Sequence, residues 1–345
     1  MKRIVLTMAL CVTLAGGAAI AEENRAAKKE PSREKDHYFT VQAFYPISTN
    51  KSKEDSTWAN FTLIYGQIGS VVGADLSYIA SIVRHDMKGL QGSSVFAYTG
   101  ENLKGVALSG VTTLVKENLS GVQAAGVFSY TGKEFRGFQA SGVVNFAGDK
   151  MKGMQISPVN IAGDTSGMQL GVVNIAGDVR GVQFGIVNIS KQMKGVPIGL
   201  VNIAENGGVD IVAWGSSLMA ANAGVRFRAG YVYTMLAAGC LNQENNNPID
   251  ETLASQFYLG ARIPAGRLYF DADLGFMLID NKDLYSERGE KDRYVSLGRA
   301  MVGFHVTKLL AVFAGGGAAY LLNEGQDFKE GKWEPHYLGG VALEF

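Results

Sequence analysis

Charged side chains set at alternate positions within apolar runs are the residues of this chain best placed to do chemistry. Nine form a candidate set: Asp75, Arg226, Arg228, Arg262, Asp271, Asp273, Arg299, His305 and Glu344. Arg226 and Arg228 alternate with Val225, Phe227, Ala229, Tyr231 and Tyr233, and Asp271 and Asp273 with Phe270, Ala272 and Leu274. Strands of period two send such charges to one face, where guanidinium and carboxylate groups withdrawn from water pair with one another. The same set would also serve a narrow aqueous pore with charge selectivity, or an enzyme using Asp271, Asp273 and His305. Other signals of catalysis do not appear. His37, His85, His305 and His336 lack metal-ligand spacing. No GxSxG nucleophile sits between a strand and a helix. The 44 glycines are too frequent and periodic for a GxG match to signal phosphate binding. No catalytic residue, metal or cofactor is expected.

The elements that must position these charges are strands. In Arg267–Phe276 the residues Leu268, Phe270, Ala272, Leu274 and Phe276 share one face, and Tyr269, Asp271 and Asp273 the other. Alternating segments of this length mark strands of a membrane barrel. Connections also alternate, long at 239–255, 280–293 and 323–335 and short at 221–223, 264–266 and 306–308, as expected for outer loops and periplasmic turns. Three strands are predicted before the middle of the chain (38–46, 58–68, 71–84) and seven after it (209–220, 223–238, 256–263, 267–279, 294–306, 309–322, 336–345). The expectation is an all-β, antiparallel outer-membrane barrel of about ten strands. Its first strands occupy 38–84 and its remaining strands 209–345. By parity, whatever lies between them is outside the cell.

What lies between, over 85–208, is one short phrase repeated. Gly89, Gly105, Gly121, Gly137 and Gly153 are 16 apart, and Gly167, Gly181 and Gly195 follow at intervals of 14. A fixed short period marks a stacked architecture. In the copy 181–194 (GVQFGIVNISKQMK), two short strands meet at a glycine corner. The corner resets the phase so that Val182, Phe184, Val187 and Ile189 point inward while Gln183 and Asn188 point outward. The amides recur as Gln155, Gln169 and Gln183, and as Asn160, Asn174, Asn188 and Asn202, and identical amides stacked in register form hydrogen-bonded ladders. An inserted β-solenoid of 14–16-residue repeats is therefore expected. The competing arrangement makes each copy a strand of a larger barrel, with a bulge at the corner restoring phase.

Residues 1–21 read as a secretory signal: Lys2 and Arg3, an apolar stretch, then Ala19-Ile20-Ala21. Residues 22–37 are mostly charged and are expected to be a disordered tail. The chain carries 32 basic and 32 acidic side chains. Losing Lys2 and Arg3 leaves it slightly acidic, which excludes nucleic acid as a partner. Cys240 is the one cysteine beyond the leader, so stability cannot come from an internal disulfide.

Tyr337, Val341, Leu343 and terminal Phe345 alternate to the last residue. This resembles the C-terminal signature of bacterial outer-membrane barrels, which implies the barrel assembly machinery as a partner and outer-membrane lipid as surroundings. The phrase GxQxGxVNxA over 88–204 resembles the spirochaete-type bacterial surface repeat-containing protein family. The early copies depart from it: Ser94-Val95-Phe96 and Thr112-Thr113-Leu114 lack the Val-Asn pair. The resemblance implies a cell-surface location. The functional expectation is a surface-display protein presenting the repeats for adhesion, shielding or contact with a host or cell-surface ligand. A porin or narrow channel, with the repeats forming part of a larger barrel, is the alternative.

Overall fold

The structure is a computed structural model that describes residues 36–50, 52–240, 253–280, 293–322 and 332–345. The signal at 1–21 and most of the tail at 22–37 lie outside the described residues. Among the described residues the regular elements are all strands. They form a parallel β-solenoid of about ten turns followed by a closed antiparallel barrel of eight strands.

Each coil of the solenoid has one longer and one shorter strand. In the coil starting at Leu103 these are Leu103–Ser109 and Thr112–Val115. Successive coils pair in parallel and in register, Gly89 on Gly105, Gly121 on Gly137 and Gly153 on Gly167. The opening glycines of the first coils have positive φ, for example +134° at Gly153. A Cβ on Gly153 would meet the Gly137 carbonyl oxygen at 2.0 Å. The coils stack too tightly here for any side chain.

Four positions per coil point inward. In the 16-residue coils they are typified by Phe135, Gln139, Asn145 and Ala147, and in the 14-residue coils by Val179, Gln183, Asn188 and Ser190, all buried. Their spacing within each strand is the same in both kinds of coil. The shorter repeat takes one residue out of each corner.

This inverts the expected phase. Gln183 and Asn188 are buried, whereas Phe184 is exposed and Val182, Val187 and Ile189 are half-buried on the outside. The reason is the amide columns: turned inward, Gln183 meets Gln169 of the coil before it, and Asn188 meets Asn174. Inside the stack, most rungs find a hydrogen-bond partner in a neighbouring coil. Burial of the amides therefore costs little.

The barrel strands are β1 Gly208–Ser216, β2 Ala221–Ala229, β3 Val232–Cys240, β4 Leu253–Ala265, β5 Leu268–Asp280, β6 Arg293–His305, β7 Leu310–Leu322 and β8 Lys332–Glu344. Strands β1 and β8 close it, with Asp210 opposite Glu344 and Trp214 opposite Gly340. The ten-strand expectation is corrected at both ends. The segments 38–46, 58–68 and 71–84 alternate like barrel strands, but they pair in parallel as the first coils of the solenoid. The predicted strand 223–238 is two strands, because Gly230 (φ +64°) makes a tight turn between β2 and β3. The solenoid thus precedes the barrel instead of interrupting it, and the repeats add no strands to a wider pore. The parity argument that put them outside the cell loses its premise.

Leu274, Ile263, Phe270, Val302 and Val341 project outward and are exposed, while Tyr258, Tyr269, Met277 and Leu297 fill the lumen. The turns at 230–231, 266–267 and 306–309 lie at one end, together with the chain's entry at Gly208 and its last residue. The strand ends at Ser216, Ala221, Cys240, Leu253, Asp280, Arg293, Leu322 and Lys332 lie at the other end.

Candidate functional site

Eight of the nine candidate charges meet in the barrel lumen, in two groups. Near the turn end, Arg226 Nε donates to Asp210 Oδ2 (2.7 Å) and its Nη1 to Asp271 (3.1 Å). Arg262 Nε donates to Asp271 Oδ1 (2.8 Å) and its Nη1 to Glu344 Oε1 (2.7 Å). Arg228 Nε reaches Asp210 at 2.8 Å, and His305 Nε2 lies 3.1 Å from Glu344 Oε2. Higher in the lumen, Arg299 is paired with Asp273 at 2.8 Å, and Tyr233 donates its hydroxyl to the same carboxylate at 2.7 Å. Four arginines therefore face four carboxylates, each carboxylate engaged by at least one guanidinium.

Aromatic rings complete the filling. Arg262 lies 3.6 Å over the Tyr269 ring and Arg299 3.6 Å over Tyr258, close enough for cation–π attraction. A cavity lined by Trp214, Arg226, Tyr233, Asp273, Arg299 and Phe313 measures about 10 Å³, the room of a single water at most.

Two members of the charge network, Asp210 and Tyr233, are absent from the sequence-predicted set. Asp210 was legible, since it alternates with Val209 and Ile211 in the same way that Asp271 does with its neighbours. Tyr233 was not, because it was assigned to the outer face of a continuous 223–238 strand. The turn at Gly230 resets the phase and sends it inward. The ninth candidate, Asp75, is not in the lumen. It is buried in the solenoid at the position filled by glutamine in later coils, and accepts hydrogen bonds from Asn60 Nδ2 (2.8 Å) and from the Ser81 hydroxyl. Burial outweighs these two hydrogen bonds and pushes its pKa up from 3.8 to about 6.

The ladders are the second constellation. Gln183 donates to Gln169 (2.8 Å), Gln169 to Gln155 (2.9 Å), Gln155 to Gln139 (2.7 Å) and Gln139 to Gln123 (2.8 Å), toward the first coils. The asparagines donate the other way: Asn145 to Asn160 (3.1 Å), Asn160 to Asn174 (3.0 Å), Asn174 to Asn188 (2.9 Å) and Asn188 to Asn202 (2.8 Å). Gln123, Gln139 and Asn145 extend both columns beyond the predicted members. The glutamine column stops at Gln183 because Pro197 takes the next position and supplies no donor, leaving Gln183 Oε1 buried without a partner.

On β8, Tyr337, Val341, Leu343 and Phe345 all face outward and are exposed, the arrangement that the alternation predicts.

No protein-family model matches the chain, and no curated protein sequence does. Among solved structures, the chain is similar to the N-terminal β-barrel domain of OprF from Pseudomonas aeruginosa. That likeness has 17% identity and a TM-score of 0.29, covering 40% of this chain and 99% of that one.

Proposed function

We propose that this is a non-conducting outer-membrane protein whose barrel anchors a solenoid that serves as a contact surface, with no catalytic role. The filled lumen carries this reading: its charges are paired with one another, and the cavity beside Trp214 and Arg299 measures only about 10 Å³. The apolar outer wall, the C-terminal aromatic pattern and the leader-like start support insertion by the barrel assembly machinery into outer-membrane lipid. The porin reading asks for an open lumen and finds support only in the number and kind of charges. In planar bilayers the purified protein should give no stable ohmic conductance. A reproducible pore altered by Arg262→Ala would overturn the proposal.

The loop-length rule favours the periplasmic side for the solenoid. Short turns lie on the periplasmic face of such barrels, and the chain enters the barrel at the turn end. Display at the cell surface for adhesion or shielding is the second reading, and it requires the barrel to sit with its turns outward. Protease treatment of intact cells distinguishes them. Repeat peptides should be released only after the outer membrane is permeabilised, and their release from intact cells would favour display.

A further inference from the structure

The interior of the solenoid holds amide ladders beside a column of buried apolar side chains, and much of its outside is hydrocarbon as well. Apart from the buried Asp75, charge gathers at one of its two corners and the strand starts beside it. Residues 106–114 (VALSGVTTL), 122–130 (VQAAGVFSY), 138–146 (FQASGVVNF) and 182–189 (VQFGIVNI) contain no ionisable acid or base other than a tyrosine. The intervening corners read KEN, GKE and GDK at 116–118, 132–134 and 148–150. Those corners are tied by ion pairs between coils, Lys133 to Glu117 at 2.9 Å and Lys152 to Glu134 at 3.2 Å. At the opposite corner Val95, Val111, Val127, Val143, Val172 and Ile186 form an exposed column.

The backbone of this apolar corner needs no water. Val111 N–H donates to Val95 O (3.2 Å), Val127 to Val111 (2.9 Å), Val143 to Val127 (3.1 Å) and Ile186 to Val172 (3.0 Å). Internal satisfaction of backbone groups is what a hydrocarbon environment demands.

Attachment to the barrel sets the height and direction. Tyr233 and Met235 point into the lumen, so Thr234 between them points out through the wall. It is nevertheless buried, because it receives the last rung of the asparagine ladder, Asn202 Nδ2 to Thr234 Oγ1 at 2.9 Å. The stack therefore meets the barrel wall from the side and runs along the membrane plane.

Its charged corner sits at the turn level. Gly230 packs against Met193 so closely that a Cβ would meet the Met193 carbonyl at 2.3 Å, and Lys194 follows. The apolar corner sits higher on the wall, with Leu200 O 3.4 Å from Thr234 Oγ1. Four residues of strand separate the two levels, about 13 Å along β3, within an apolar band roughly 25 Å tall.

We infer that the solenoid lies in the leaflet on the turn side of the barrel, its apolar corner among acyl chains and its charged corner at the headgroups. This rests on the membrane reading above. A second copy of the chain could cover one apolar face. Lipid covers both faces and the corner, and it already contacts the wall from which the stack projects.

Depth measurement by nitroxide collision tests this. Labels are placed singly at V127C, V143C, K133C and L274C in the full chain with Cys11 and Cys240 changed to Ser, in vesicles of phosphatidylethanolamine and phosphatidylglycerol. The ratio of oxygen to nickel-chelate accessibility at V127C and V143C should be severalfold above K133C and near that at barrel-wall L274C. Chelate access at V127C and V143C equal to K133C, with L274C still lipid-like, overturns the inference and spares the barrel reading. Chelate access at L274C overturns both. Shielding of V127C and V143C from both reagents, with spin–spin broadening between copies, replaces lipid by a second copy and overturns the inference.

Discussion

Asn202 donates its side-chain amide to the Thr234 hydroxyl at 2.9 Å, so the final rung of the asparagine ladder is a residue of the barrel wall. The hydroxyl lies 3.4 Å from the Leu200 carbonyl in turn. Solenoid and barrel share one hydrogen-bonded column, with Ala229 packed among Ala176, Val179, Met193 and Ala204 beside it.

Thr234→Val keeps the shape of this joint and removes its hydrogen bonds. Leaving buried polar groups unpaired costs about 1–3 kcal/mol. Limited proteolysis near residues 205–207 should accelerate while the barrel's heat-modifiable gel shift stays unchanged. Unaltered cleavage would show that apolar packing alone holds the joint.

Asp75 makes the solenoid's stability depend on pH. Its folded pKa of about 6 lies above the ordinary 3.8, so the folded state binds the proton more tightly. The stabilisation is complete below pH 3.8 and is lost as pH rises through 6. Asp75→Asn removes the charged form and should gain up to about 3 kcal/mol at neutral pH, with the gain vanishing below pH 4. Urea unfolding followed at Trp58, two residues from the hydrogen-bonding partner Asn60, reports it. A gain independent of pH would contradict the assignment.

Glycine substitutions separate crowding from conformation. Gly153→Ala meets both a φ of +134° and the Gly137 carbonyl, and should cost about 3 kcal/mol or more. Gly266→Ala has a φ of +70° with nothing within 4 Å, and should cost about 1 kcal/mol. Equal costs by denaturant titration would mean that the coils can spread.

Arg262→Ala removes the guanidinium shared by Asp271 and Glu344. Stripping one partner from a buried ion network typically costs about 3–5 kcal/mol. The temperature at which the folded gel band converts to the unfolded one should fall clearly below that of the parent. An unchanged transition would mean that water enters the lumen and screens the carboxylates.

Much of this was legible in the residues. The 16- and 14-residue glycine spacing declares a stack, the columns of Gln and Asn declare ladders, and Asp271, Asp273 and Arg262 declare a charged barrel interior. Two errors have local causes. Hydrophobicity alone predicts the wrong phase for the coil, because each buried amide is partnered by the equivalent amide of a neighbouring coil. A strand 223–238 continuous across Gly230 puts Tyr233 on the wrong face and counts two strands, Ala221–Ala229 and Val232–Cys240, as one.

By itself the sequence determined which residues share a face, because alternation and repeat period are properties of neighbouring bonds. Only the tertiary structure decided which face is inside, that 36–83 joins the solenoid instead of the barrel, and which end of the barrel carries it. Those choices turn on partners far away in the chain. A strand such as 58–68 alternates in the same way whether its edges meet a parallel coil or an antiparallel neighbour, and the pairing energy appears only when the partner arrives.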